Sequence, residues 1–278
     1  MSSLAVVTVA YPAARPFLAE MAESLRAQSD RAFTVIVLDD GCGNVLHAFD
    51  GLSARVIAAG ASIADNRRVA IGAAIDAGFS QLVLADADDT FSADRVARSR
   101  RALDEHPLVF NELRIGDAPV FGARFERGAS IDLGAILDGN CLGLSNTAAR
   151  AEVLAEPARA IDVDEHIVDW GLFTRALAAG HRAVFLDDVY THYRRHEASL
   201  GTLDADDEAA VIRALEVKAS HYRRFAARCA AFAERADAFG ALLARIREDD
   251  DTRREYVRFC RASAPAHPLW WEIARRMP

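Results

Sequence analysis

Three carboxylates crowd into four positions where the run LVLADADDTF (82–91) turns from apolar to acidic: Asp86, Asp88 and Asp89. At about 4 Å and an effective dielectric of about 20, each like-charged pair costs on the order of 4 kcal/mol unless positive charge lies between them. A divalent cation meets that need, because hard cations take one or two carboxylates together with phosphate oxygens. A second acidic pair, Asp39-Asp40, closes the apolar run FTVIVL (33–38) and is followed by Gly41. A further carboxylate, Asp169, stands in HIVDWGLF at the start of a helical pattern. Each has a plainer reading: DDGCGN (39–44) suits an ordinary turn, and Asp169 suits the positive end of a helix.

The elements around these residues decide whether they meet. LAVVTVA (4–10), FTVIVL (33–38), ARVIAA (54–59) and LVLA (82–85) are short apolar runs rich in β-branched residues, as strands buried on both faces require. Between them, RPFLAEMAESLRAQ (15–28), ADNRRVAIGAAIDAG (64–78) and SADRVARSRRALDEH (92–106) carry helical spacing. Pro16 is expected in the first turn of one helix, Ser92 as the N-cap of another, and Gly78 as a terminator. Strand and helix in alternation predict an α/β domain with a mostly parallel sheet flanked by helices. Ligands of such sheets bind beyond the carboxyl ends of the strands, which is where Asp39-Asp40 and the 86–89 cluster fall.

Further along, LVFNEL and PVFGARF are expected as strands, TAARAEVLA (147–155) as a helix, and DEHIVDWGLFTRALAAG (164–180) as an amphipathic helix ending at Gly180. HRAVFL and VYTHYRRH are expected as two more strands, and the chain beyond residue 204 as mostly helical. This predicts a catalytic domain over 1–204 and a helical C-terminal extension over 205–278.

The chain has 278 residues, is 51% hydrophobic and carries a formal charge of −8, which argues against nucleic acid as its partner. The excess acid lies in residues 1–207, with 19 basic and 31 acidic groups, whereas 208–278 holds 14 and 10. Cys42, Cys141, Cys229 and Cys260 lie far apart without ligand spacing, as free thiols of a reducing compartment would. The start, MSSLAVVTVAYP, has no basic segment ahead of its apolar run, and no apolar stretch of about 18 residues occurs, so a cytoplasmic protein is expected. The only lysine is Lys218.

The segment VVTVAYPAARPFLAEMAESLRAQSDRAFTVIVLDDG resembles the opening of family-2 glycosyltransferases of the nucleotide-diphospho-sugar (GT-A, Rossmann-like) fold. LVLADADD is similar to that family's DxD region, and VDWGLFTRALAAGHRAVFLDDVYTHYRRHEASL to its acceptor-side segment. The resemblance covers roughly residues 4–200. It implies an inverting, metal-dependent transfer of a sugar from a nucleoside-diphosphate sugar, most often a UDP-sugar, to a glycan, lipid-linked or other hydroxyl acceptor. By that resemblance Asp40 accepts a hydrogen bond from the base with Asp39 beside it, and Tyr11 lines the base pocket. Asp86 reaches the ribose or the metal, Asp88 coordinates Mg²⁺ or Mn²⁺, and Asp169 is the base, with Asp164 and Glu165 as second choices. Arg68 and, more weakly, Arg67 are phosphate candidates. Arg194 could clamp the diphosphate, and His196 could be a third metal contact. Pro12 stands where the family usually has Asn, and Val168 where it has Glu before the catalytic Asp.

Two other functions fit parts of the pattern. ADADDTF also matches the DxDxT nucleophile motif of haloacid-dehalogenase-like phosphatases, with Asp86 attacking phosphorus, although that chemistry wants a downstream lysine and only Lys218 exists. A catalytically inactive sugar-nucleotide-binding homologue needs only the binding residues. For the helical tail, with Trp270-Trp271 near its end, packing against the domain or a second subunit competes with a membrane-surface contact.

Overall fold

Apolar β-branched runs form the centre of the molecule. The computed structural model describes residues 3–195, 203–264, 267 and 269–277. Leu4–Ala10 forms β1 and is buried at every position, as a central strand covered on both faces must be. Phe33–Asp39 (β2) pairs with it in parallel on one side, and Gln81–Leu84 (β4) on the other. Ala54–Ala58 (β3) lies outside β2, also parallel, and is partly exposed as an edge strand. Leu18–Arg26 (α1) and Ile63–Asp76 (α2) make the crossovers, and the Ser62 hydroxyl caps α2 by accepting from the Asp65 amide. Because β1, β2 and β4 run together, residues 11, 40 and 85–89 leave the sheet at one edge.

The rest of the sheet consists of Thr90–Phe91 (β5), Leu108–Ile115 (β6), Ala118–Pro119 (β7), Ser130–Ile131 (β8), Thr147–Arg150 (β9) and Ala183–His192 (β10). Its order is β3-β2-β1-β4-β9-β6-β10-β5, with β7 on β6 and β8 on β10. Arg95–Glu105 (α3), Ala151–Arg159 (α4) and Val168–Ala178 (α5) complete this part.

Several sequence expectations change. TAAR (147–150) is a strand rather than the start of a helix, and the helix begins at Ala151. The alanines have helical propensity, but β9 fills the gap between β4 and β6, antiparallel to both, and that pairing prevails. Ser92 does not cap α3, which starts at Arg95 after Asp94; its hydroxyl instead accepts from the Tyr190 amide at 3.0 Å, because Thr90–Phe91 pair with β10. Pro16 lies in a 3-10 turn, Pro12–Phe17, ahead of α1. PVFGARF yields only the short β7, and the two strands expected over 181–196 are one, β10, with an irregularity between Leu186 and Tyr190.

The chain divides into two compact units, Met1–Leu133 with Cys141–Arg194, and Gly134–Asn140 with Arg195–Pro278. The first holds the sheet. The second holds Glu208–Phe225 (α6), Ala230–Glu248 (α7), Asp250–Ser263 (α8) and Trp270–Ile273 (α9). Among the described residues no helix is long and apolar enough to cross a membrane.

Candidate active site

The end of β2 is a built turn. The Asp39 carboxylate accepts from the amides of Cys42 at 2.8 Å and Gly43 at 3.1 Å. Gly41 and Gly43 take φ of +83° and +66°, which a residue with a Cβ adopts only under strain. Asp39 is therefore committed to shaping the loop. Asp40 donates its amide to the Ala10 carbonyl at 2.7 Å, tying the ends of β1 and β2 together, and its side chain is half-exposed beside the loop. The Cys42 thiol is pushed up by burial and by Asp39, so it stays protonated and unreactive.

The acidic loop after β4 shows what offsets its charge. Arg67 of α2 pairs with Asp86 at 2.8 Å, the Tyr11 hydroxyl donates to Asp88 Oδ2 at 2.8 Å, and the Arg194 amide donates to Asp89 Oδ1 at 2.8 Å. Beneath the loop Arg95, 1% exposed, donates to the Leu84 carbonyl at 2.7 Å and to Asn111 Oδ1 at 2.9 Å, with its guanidinium 4.5 Å from the Phe91 ring centre. Burial draws Arg95 down to about 9, opposed by Asp89 and Asp86, so it remains a cation at neutral pH. Even so, Asp86 is pushed up by burial and by Asp88 against the pull of Arg67. Asp89 is pushed well up by burial and by both neighbouring carboxylates. Burial is the largest cause of both shifts.

The remaining candidates divide sharply. Arg68 turns away from the loop and pairs with Asp65 near the start of α2, so the neighbouring Arg67 is the side chain that reaches the acidic cluster. Arg194 is held down: its Nε donates to the Asp88 carbonyl at 2.9 Å, it pairs with Glu20, and its guanidinium lies 4.5 Å from the Phe17 ring centre. It braces the turn it was expected to reach beyond. His196 lies outside the described residues. Arg95 and Tyr193 were not singled out as site residues from sequence. The Tyr193 phenol is held protonated chiefly by burial and, after it, by the negative charges of Asp89, Asp86, Asp88 and Asp169.

Asp169 occupies the first turn of α5, half-buried, with Oδ1 accepting from the Trp170 amide at 2.8 Å. What fixes that turn is a buried ion pair: Arg175 donates to both oxygens of Glu165, at 2.9 and 2.7 Å. Glu165 is thereby removed as a proton acceptor. A Cβ on Gly171 would come within 1.5 Å of Glu165 Oε1, so only glycine lets the pair form against the helix. Gly171→Ala should lower unfolding stability by about 1–3 kcal/mol through overpacking, measured by urea denaturation. Gly72→Ala, with nothing within 4 Å of the added carbon on α2, should instead raise it by about 0.5–1 kcal/mol.

Among the described residues no group of three His, Cys, Asp or Glu is arranged to hold a metal. The oxygen-only pair Asp86 and Asp88 nevertheless fits Mg²⁺ or Mn²⁺. Such ions complete their shells with phosphate and water, and two carboxylates are the usual protein share of that shell.

No protein-family model and no curated protein sequence gives a significant match to the chain. Solved structures do. Residues 1-349 of S. aureus TarS in complex with UDP-GlcNAc superpose with a TM-score of 0.59 at 18% identity, covering 79% of this chain and 66% of that one. The UDP complex of the same fragment gives 0.56 at 17%, covering 79% and 65%. The mannosyltransferase PcManGT from Pyrobaculum calidifontis, in complex with GDP-Man and Mn2+, gives 0.60 at 17%, covering 96% of this chain and 76% of that one. The chain thus spans just under two thirds of the TarS fragment. This likeness establishes the fold, a GT-A type α/β sheet flanked by helices with a helical C-terminal part. The phosphatase reading loses its lysine: Lys218 belongs to the second unit, where its ammonium is committed to the carbonyls of Asp138 and Trp271.

Proposed function

We propose that the chain is an inverting glycosyltransferase that moves a sugar from a nucleoside-diphosphate sugar, of the UDP type, to a hydroxyl on a glycan or lipid-linked acceptor. The observation that carries this reading is the convergence of Asp40, Tyr11 and the Asp86–Asp89 loop on three neighbouring parallel strand ends. The two similar structures named above, one with UDP-GlcNAc and one with GDP-Man and Mn2+, support it.

In this reading Asp40 accepts a hydrogen bond from the base, and Asp86, with Arg67 alongside, receives the ribose. Asp88 and Asp86 would hold Mn²⁺ or Mg²⁺. When bound, such an ion supplies Lewis-acid neutralisation of the departing diphosphate. Asp169 takes the proton of the acceptor hydroxyl as it attacks the anomeric carbon from the face opposite the diphosphate, which inverts the centre.

The test is a thermal-shift panel of UDP, GDP, dTDP and CMP with and without Mn²⁺. A ligand present at about 100 times its dissociation constant stabilises the fold by about 2.7 kcal/mol. UDP with Mn²⁺ should give the largest shift, and Asp88→Asn should remove the part that depends on the metal. No shift with any nucleoside diphosphate would overturn the reading. Binding without metal-dependent hydrolysis or transfer of the donor would mark an inactive binding homologue instead.

A further inference from the structure

We infer that Arg114, seated on Tyr190 beside His192, forms an anion-binding site separate from the donor's, which takes a phosphate or carboxylate carried by the acceptor. This deepens the proposed function and rests on its reading of the acidic loop as the donor site.

Arg114 stands near the carboxyl end of β6, and Tyr190 and His192 at that of β10, its parallel neighbour. The Arg114 guanidinium sits 3.8 Å from the Tyr190 ring centre, and the Tyr190 and His192 rings meet edge to face at 4.9 Å. The backbone beneath them is held by three hydrogen bonds. The Ser92 amide donates to the Tyr190 carbonyl at 3.0 Å, the Tyr190 amide to the Ser92 hydroxyl at 3.0 Å, and the Tyr193 amide to the Arg114 carbonyl at 2.8 Å. All three side chains are half-buried. Arg114 Nε is covered and has no hydrogen-bond partner, and among the described residues no carboxylate pairs with this guanidinium. The acid on its own strand face, two residues back, is Glu112. That carboxylate is spent on the amides of Val120 at 3.0 Å, Phe121 at 2.7 Å and Gly122 at 2.5 Å.

A guanidinium seated on an aromatic ring is already oriented, and its planar fork of N–H groups matches phosphate or carboxylate with two parallel bonds. His192 adds a ring N–H in either protonation state. The sheet order indicates which substrate brings the anion. β6 and β10 lie across β4 from β1 and β2, whose ends carry Tyr11 and Asp40. His192 pairs with Thr90, the residue after Asp89, so the cluster adjoins the far end of the acidic loop. With the base on one side of that loop, Arg114 stands on the other, the side left for the acceptor. An anionic acceptor is repelled by the loop's carboxylates unless a cation meets it. Arg114 is a cation that the fold leaves uncompensated.

The experiment titrates glucose 6-phosphate, glucuronate and glucose into the full chain saturated with UDP and Mg²⁺, following histidine ring resonances by NMR. The His192 signal is identified by its loss in His192→Gln. With the donor site filled, a saturable shift of that signal reports the second site. The anions should produce it and glucose should not; a response to one anion alone names the charged group of the acceptor. Arg114→Gln should weaken anion binding by about 10–100-fold, as expected on losing hydrogen bonds to a charged group. Arg114→Lys, which keeps the charge without the fork, should weaken it by less. An equal response to glucose, or equal anion affinity in wild type and Arg114→Gln, overturns the inference while sparing the proposed function. So does a matching loss of UDP affinity in Arg114→Gln, which assigns the arginine to the donor's diphosphate. A wild-type chain that binds no nucleoside diphosphate overturns both.

Discussion

Asp169→Asn should bind nucleotide as the wild type does and lose transfer by roughly 10²–10⁴-fold, the usual contribution of a positioned general base. The amide keeps the size and the acceptor oxygen of the acid, so the contact with the Trp170 amide, 2.8 Å in the wild type, can persist. What disappears is the ability to take a proton. The substitution lies in the first turn of α5 and away from the Glu165–Arg175 pair that holds the helix, so thermal stability should change little. Initial rates of sugar transfer at saturating donor, alongside nucleotide titrations, separate the two effects. If transfer persists at the wild-type rate, the proton goes elsewhere, and Glu165 cannot be its destination because both its oxygens are bound by Arg175. A variant that stops binding nucleotide would place Asp169 in the donor pocket and remove it as the base.

How much of this was legible in the sequence follows from the range of each interaction. The central strands declared themselves because β1, β2 and β4 are short apolar runs buried along their length, a pattern that needs no partner to be recognised. That Asp39-Asp40 and the 86–89 cluster share an edge follows from parallel pairing alone. β9 was hidden because TAAR has helical local preference and becomes a strand only where β4 and β6 leave room for one. The choice between Arg67 and Arg68 depends on helical phase, which turns on where α2 begins. Ser62 sets that start by a hydrogen bond invisible in composition. Arg95 stands on a helix of low apolar content, where nothing local marks it as buried. Its burial depends on Leu84 and Asn111, 11 and 16 residues distant. The repulsion that first drew attention to Asp86, Asp88 and Asp89 thus has an answer in two parts. Arginines from α2 and α3 supply counter-charge, and burial together with the neighbouring carboxylates raises Asp86 and Asp89 so that a bound proton lowers the repulsion further.

Lys218 should make the chain more stable as pH rises above neutrality. Its side chain is 1% exposed, donates to the carbonyls of Asp138 at 2.8 Å and Trp271 at 2.6 Å, and lies 5.4 Å from the Phe239 ring centre. Burial draws the ammonium from its ordinary 10.5 down to about 7; the Asp138 carboxylate and Glu272 oppose that fall, while Arg235 and Arg275 add to it. The unfolded chain therefore keeps this proton to about pH 10.5 while the folded chain releases it near 7. Between those values the unfolded state binds more protons, so unfolding becomes harder with rising pH. The gain is absent below pH 7 and complete above 10.5. At about 1.4 kcal/mol for each unit of displacement, the whole window amounts to on the order of 4–5 kcal/mol. Cys141 and Cys260, raised by burial from 9.0 to about 12 and about 11, act in the opposite sense once the unfolded thiols ionise near pH 9, and Tyr222 and Tyr256, whose buried phenols are raised, do so near pH 10. The clean interval is therefore about pH 7 to 8, where roughly 1 kcal/mol should be visible by urea unfolding. Lys218→Met has no proton to release and should lose that slope, although two carbonyls then lack their donor. Because the chain has no other lysine, isotopic labelling of lysine gives one side-chain resonance to follow. A midpoint near 7 in the folded protein accounts for the slope, whereas a midpoint near 10.5 would show that the buried group keeps its proton and that any rise in stability has another source.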